Sequence, residues 1–280
     1  MSAPRPPTGD APVVDEFAGT GHERRRTAHE ARADALLAGH LARRSRGEKH
    51  PVEDFLFTYY SLRPSRLRRW NPGLPDAPAD VEAYLAKRGD MVRFVHTLLT
   101  ATASRPTQLR CFGLHEWAMV YRQDETRHQV PLRLGVAGTD AVVEQHQLRC
   151  SHYDAYRFFT PQALPRNAFR LSREEQIESD RPGCLHVAMD LYKWAGKLGE
   201  PVPAELLLDC FELARDVRTL DMQASPYDLS SHGYQPVQIE TPAGKAEYVR
   251  RQKQFAERAE PLRARMIEIC ETLLPERRPR

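Results

Sequence analysis

The chain has 280 residues, of which 41% are hydrophobic and 28% charged, and its formal net charge is +3. This composition fits a folded globular protein and excludes a disordered or fibrous one. No apolar run approaches the ~18–20 residues that a membrane span needs. The opening MSAPRPPTGDAPVVDEF shows no basic-then-apolar signal pattern, so a cytoplasmic protein is expected. Five widely spread cysteines without a CxxC pair argue against a disulfide framework and against a cysteine-rich zinc module.

Residues 1–20, rich in Pro, Ala and Gly, read as a disordered leader. From His22 to Arg46, Ala and Leu recur at helical spacing, and Gly47 supplies a stop. An aromatic run follows (Phe55, Phe57, Tyr59, Tyr60), preceded by Glu53 and Asp54, which suit the positive end of a helix dipole. Pro64 closes that segment, and Pro72, Gly73, Pro75 and Pro78 then make a loop. Asp80 is a good N-cap for a helix over 81–100, and a further helical stretch is expected near 108–121. Residues 129–150 place β-branched residues on both sides of Gly-Thr-Asp and predict one small β-hairpin. Ser172 and Glu175 form a capping-box pattern before a short helix. Strong helices are expected over 184–198, over 203–222 with Pro203 in the first turn, and over 242–274. The expected fold is mainly α, a single α-helical domain over 21–240 with one hairpin, followed by a long basic C-terminal helix and tail over 241–280. That last segment carries ten basic and six acidic residues.

No GxGxxG, GxxxxGK[ST], HExxH or GxSxG motif is present, so nucleotide-driven and serine-hydrolase chemistry lose their usual signatures. Several chemical groupings remain. His152 and Asp154, two apart on an extended segment, point to one side and suit a base with its orienter or two metal ligands. His186 and Asp190 share a helix face at i, i+4, at the edge of an apolar stripe. Asp209 and Asp216 border the stripe of the next helix, and Asp221 and Asp228 flank the loop MQASPY. His115, Glu116 and Trp117 bring a base, an acid and an aromatic together, of which a helix lets at most two share a site. Between Phe55 and Leu74 stand Arg63, Arg66, Arg68 and Arg69 with Trp70 and no acid, a basic-aromatic pattern suited to nucleic acid or to a solvated surface loop.

Five blocks carry a family resemblance: HPVEDFLFTYYSLRPSRLRRWNPG, GLHEWAMVY, HYDAYRFFTP, PGCLHVAMDLYKWAGKL and DCFELARDVRTLDMQASPYDL. Together, from Arg44 to Asp228, they resemble bacterial proteins named 3-methyladenine DNA glycosylase. The sequence has no LPGVG-like hairpin, so no catalytic residue carries over by motif.

The resemblance implies a DNA-repair glycosylase that releases alkylated purines and requires no cofactor. In that reading DNA is the partner and a flipped base stacks on Trp117, Tyr153, Tyr156 or Tyr59. Arg63, Arg66, Arg68, Arg69 and Trp70 then hold the phosphates. Asp154, with Asp190 and His152, supports the sugar cation or activates water. The residues themselves support a second reading: a metal-dependent oxygenase or hydrolase whose Fe, Mn or Zn is held by His115, His152, Asp154 and His186. Glu116, Asp190, Asp209 and Asp216 would then stand behind the ligands. A third reading is a non-catalytic nucleic-acid-binding module.

Overall fold

The computed structural model describes residues 21–123 and 130–274; the expected leader (1–20) and the last tail residues (275–280) lie outside the described residues. Eleven α-helices are present among them: α1 (Gly21–Ser45), α2 (Phe55–Thr58), α3 (Pro64–Arg68), α4 (Val81–Ala103), α5 (Leu114–Ala118), α6 (Gly135–Gln145), α7 (Tyr153–Tyr156), α8 (Gln176–Ser179), α9 (Leu185–Leu198), α10 (Ala204–Gln223) and α11 (Pro242–Leu273). The fold is mainly α.

The centre is the pair α9 and α10, joined by five residues and packed against each other, with α11 and α4 laid against them. Of α9, only His186, Lys193 and Lys197 escape full burial. The long helices are set by apolar stripes at helical spacing. On α1 the buried residues are His29, Ala33, Leu37 and His40. On α11 the stripe runs from Tyr248 through Phe255, Ala259 and Met266 to Leu273. That stripe belongs to the main hydrophobic core, so the C-terminal helix is part of the same packed body as α4, α9 and α10.

Several sequence expectations hold in detail. Asp80 Oδ1 accepts from Ala83 N at 2.8 Å and caps α4. The Ser172–Glu175 box forms reciprocally, with Ser172 N donating to Glu175 Oε2 and Glu175 N to Ser172 Oγ. Pro203 stands one residue earlier than expected, as the N-cap of α10.

The small hairpin is not formed. Residues 135–145 are the helix α6, whose buried Thr139, Val142 and Val143 repeat at i, i+3, i+4. Its β-branched residues follow the helical period rather than alternation, and the glycines and Thr139 belong inside the helix. Among the described residues the only β pairing is two isolated bridges, Leu132 with Tyr227 and Leu148 with Asn167. The stretch 108–121 yields only the short α5, because Phe112 (φ 53°) and Gly113 (φ 71°) are both left-handed and break any helix before Leu114. At Gly113 an added Cβ would come within 3.2 Å of Ala224 and 3.3 Å of Tyr248. Glycine therefore serves both the turn and the close packing that fix where α5 begins.

Candidate metal and acid–base site

Four segments converge around the first half of α9. α5 brings His115 and Glu116, α7 and its N-cap bring Asp154 and His152, α9 brings His186, Asp190 and Lys193, and α10 brings Arg218 and Asp221. His186, Asp190 and Lys193 stand at i, i+4 and i+7, one face of the helix. The segment after α2 closes the far side. Gly196 permits its approach, since a Cβ there would lie 2.6 Å from Leu62 Cδ1, and Tyr60 OH donates to Asp190 Oδ1 at 3.2 Å.

The first half of the site is a buried chain. His115 Nδ1 lies 3.3 Å from Cys111 Sγ, and His115 Nε2 lies 2.8 Å from Asp221 Oδ1. Arg218 Nη1 donates to Asp221 Oδ2 at 2.9 Å and to Glu116 Oε1 at 2.8 Å, while its guanidinium lies 4.2 Å from the centre of the Phe55 ring. Burial by itself pushes the His115 pKa down, but Asp221 and Cys111 outweigh it and hold it well above the ordinary histidine value. Burial raises Asp221 in turn, and the cationic partners His115 and Arg218 outweigh that and keep it ionised.

His186 joins the two halves. Its ring meets His115 edge-on, with centroids 4.5 Å apart, and stacks on His152 at 5.4 Å. Burial, then the charge of His115, drive its pKa well below the ordinary value, so it is neutral. Among the described residues it makes no side-chain hydrogen bond.

The second half is an acid–base group. His152 is fully buried; its Nδ1 lies 3.0 Å from Asp180 Oδ1. Among the described residues its Nε2 has no hydrogen-bond partner, and it lies 3.7 Å from Asp190 Oδ2. Lys193 Nζ donates to Asp154 Oδ2 at 2.8 Å and to Asp190 Oδ2 at 2.9 Å. Burial works against the Lys193 charge, but the two carboxylates overcome it and raise its pKa. Asp154 shows the opposite balance: burial raises it, and Lys193 more than compensates, so its pKa is lowered.

A cavity of about 140 Å³ opens here. Phe55, Tyr59 and Phe158 line its apolar side, and His152, Asp154, His186 and Asp190 its polar side. Two sets of side chains bring ligand atoms within 4.8 Å of one another: His115, His186 and Asp221, and separately His152, Asp154 and Asp190. The donor chemistry of the first set fits a transition metal. It offers two imidazoles and one carboxylate, with Cys111 and Arg218 holding the remote atoms of His115 and Asp221 as outer partners do in metal sites. In the second set Lys193 already stands between the two carboxylates as a fixed cation.

His115, His152, Asp154, His186 and Asp190 thus gather in one site, with Glu116 behind them. Other expected residues go elsewhere. Trp117 is in the core, its Nε1 donating to Ala224 O at 2.8 Å. Tyr156 is buried against Phe159, and Tyr153 lies under Arg173. Of the expected stacking aromatics only Tyr59 lines the cavity. Asp209 pairs with Arg32 and Asp216 with Arg258, both away from the site. Arg68 pairs with Asp34 and Glu30, and Trp70 Nε1 donates to Glu205 at 3.0 Å. Arg63, Arg66 and Arg69 line a different cavity near Leu198. Leu198 is eight residues beyond Asp190, roughly 12 Å along the helix at 1.5 Å per residue. Sequence reasoning missed the roles of Tyr60, Asp180, Lys193 and Arg218, and picked out Asp221 only as a flank of the loop MQASPY. Their only sequence signals are the i, i+3 charge pairs Asp190–Lys193 and Arg218–Asp221.

Comparison with protein-family models, with curated proteins and with solved structures finds no match to this chain. Among the described residues no helix is long and apolar enough to cross a membrane.

Proposed function

We propose that the chain is a metal-dependent enzyme in which His115, His186 and Asp221 hold one divalent transition metal, with iron the leading candidate. The observation that carries this reading is His186: a neutral imidazole with no side-chain hydrogen bond among the described residues, lining a cavity, its ligand atom within 4.8 Å of those of His115 and Asp221. Two imidazoles and one carboxylate with open positions are the ligand set of non-haem iron oxygenases. Such a metal supplies Lewis acidity or oxygen activation at the cavity wall. The substrate is a small molecule whose flat or apolar part lies against Phe55, Tyr59 and Phe158. Its polar end faces Asp154, which Lys193 keeps ionised, and Asp190, which Lys193 and Tyr60 hold in place.

The test is elemental analysis of the purified protein after reconstitution with ferrous, manganous and zinc ions. One equivalent of metal, lost in His186→Ala, supports the reading; a wild-type chain that retains none after reconstitution overturns it.

The glycosylase reading is favoured by one observation: Asp154, Asp190 and His152 meet beside Tyr59 in one cavity. Of its arginines, Arg63, Arg66 and Arg69 line another cavity and Arg68 is paired with Asp34, so its DNA contacts would have to come from elsewhere. Release of free 3-methyladenine from methylated DNA, abolished by Asp154→Asn, is the outcome that would select it.

A further inference from the structure

The second feature that invites a ligand is the cavity at the other end of α9. It has a volume of about 1000 Å³ and is walled by α3, the first turns of α4 and the α9–α10 connection. Five cations line it: Arg63, Arg66 and Arg69 around α3, and Lys87 and Arg88 from α4. Two of them have structural work. Arg66 donates to Gly196 O and Arg88 to Lys197 O, while Tyr84 OH donates to Leu198 O at 2.7 Å. Together they satisfy the last carbonyls of α9 and offset the negative end of its dipole. The other three, Arg63, Arg69 and Lys87, make no ion pair and no side-chain hydrogen bond among the described residues. The acids at the cavity are Asp80, whose Oδ1 is held by Ala83 N, and Glu200 at the rim.

We propose that this cavity binds a small ligand carrying two or more linked phosphates, with Arg63, Arg69 and Lys87 as its contacts. Three unneutralised cations in one concavity match an anion of three or more charges, and a single phosphate group carries only about 1.5 to 2 at neutral pH. Arginine forks and a lysine point charge are the side chains that recognise phosphate oxygens. A small ligand is favoured over a nucleic-acid strand on two grounds. The cavity falls at the upper end of the ~300–1,000 Å³ range of small-molecule sites. Strand binding also needs free aromatic faces for bases, and here Trp70 is bonded to Glu205 and covered by Arg25, while Tyr84 is tied to Leu198.

The experiment is calorimetric titration of the full chain with tripolyphosphate, in wild type, Arg63→Ala, Lys87→Ala, Arg68→Ala and His186→Ala. The expected result is saturable binding that weakens with salt. Arg63→Ala and Lys87→Ala should each lose roughly tenfold or more, the scale of a charge-assisted hydrogen bond. Arg68→Ala, whose side chain is paired with Asp34, should bind as wild type, and so should His186→Ala. The proposal is overturned by absent saturation or by wild-type affinity in both groove variants. It is also overturned if binding is lost in His186→Ala alone, which would place the anion on the metal, or if an oligothymidine binds through Arg63 and Lys87 where tripolyphosphate does not.

Discussion

His186 lies on His152 with ring planes 13° apart and centroids 5.4 Å apart, while its edge meets His115. Both neighbours have raised pKa values, and each leans on a buried carboxylate, Asp221 or Asp180. The middle ring is held neutral first by burial and then by the charge of His115. A lone pair on His186 is therefore available to a ligand at neutral pH without first losing a proton. This stack couples the set suited to a metal with the acid–base group that faces the cavity.

That asymmetry separates metal binding from stability. His186 has no hydrogen bond to lose, so His186→Ala should cost only the packing of a part-buried ring, about 1 kcal/mol, the centre of the range for single substitutions. It should nonetheless abolish retention of the metal. Asp221→Asn should also lose the metal, but it removes the carboxylate that His115 and Arg218 share. Breaking one partner of a buried pair typically costs ~3–5 kcal/mol, so Asp221→Asn should show a large fall in melting temperature. Thermal unfolding and elemental analysis on the same samples check the contrast. Equal destabilisation with full metal retention in His186→Ala would make the histidine merely structural.

Lys193 supports a second prediction. Its ammonium stands 2.8 Å from Asp154 and 2.9 Å from Asp190, beside the unpartnered Nε2 of His152. Removing that cation leaves Asp190 facing the imidazole nitrogen and Asp154 with only the more distant Arg157 and Arg173, at 3.2 and 3.5 Å, a donor set open to a divalent ion. Lys193→Ala should therefore raise the bound metal from one equivalent to two. In metal-free buffer it should be less stable than wild type, and added metal should restore the melting temperature. A variant that stays at one equivalent and gains nothing from added metal contradicts the assignment of His152, Asp154 and Asp190 as latent ligands.

How much of this was legible in the sequence varies by residue. α4, α9, α10 and α11 were readable because their stripes repeat at 3.6 residues and their caps, such as Asp80, are local. α6 was misread because Val136, Val142 and Val143 are β-branched and Gly138-Thr139-Asp140 reads as a turn between them, whereas burial of Thr139, Val142 and Val143 obeys the helical period. His186 and Asp190 could be paired from their spacing, and His152 and Asp154 from theirs. Their meeting could not be read, because it depends on how a segment 30 residues upstream folds back on α9. Asp221 was legible only as a loop flank, because Arg218–Asp221 has the spacing of an ordinary surface pair; only the close approach of α5, set by Gly113, buries it against His115. The basic segment shows the converse. Arg63, Arg66, Arg68 and Arg69 look equivalent as letters, yet one pairs with Asp34, one caps α9 and two make no ion pair or side-chain hydrogen bond among the described residues.

Tyr84 gives a prediction on the alkaline side. Its hydroxyl donates to Leu198 O, and burial, partly offset by Arg88, pushes its pKa up to about 12 from an ordinary 10. The folded state thus keeps a proton that the unfolded chain releases. The stabilisation from Tyr84 is complete below pH 10 and is lost as pH rises through 12. Across that window one extra proton bound by the native state makes stability fall by up to ~1.4 kcal/mol per pH unit. Tyr84→Phe removes this slope. At pH 8 it should be less stable than wild type by about 1 kcal/mol, the worth of one hydrogen bond. As pH rises toward 12 the difference should shrink to zero and then reverse, because the linkage loss across two pH units exceeds the ~1 kcal/mol of the hydrogen bond. Urea unfolding at stepped pH measures the difference directly, and subtraction of the two curves cancels the other tyrosines and the cysteines. A difference that stays constant from pH 8 to 12 would show that the Tyr84 hydroxyl titrates as it does in the unfolded chain and that its bond to Leu198 does not hold the proton.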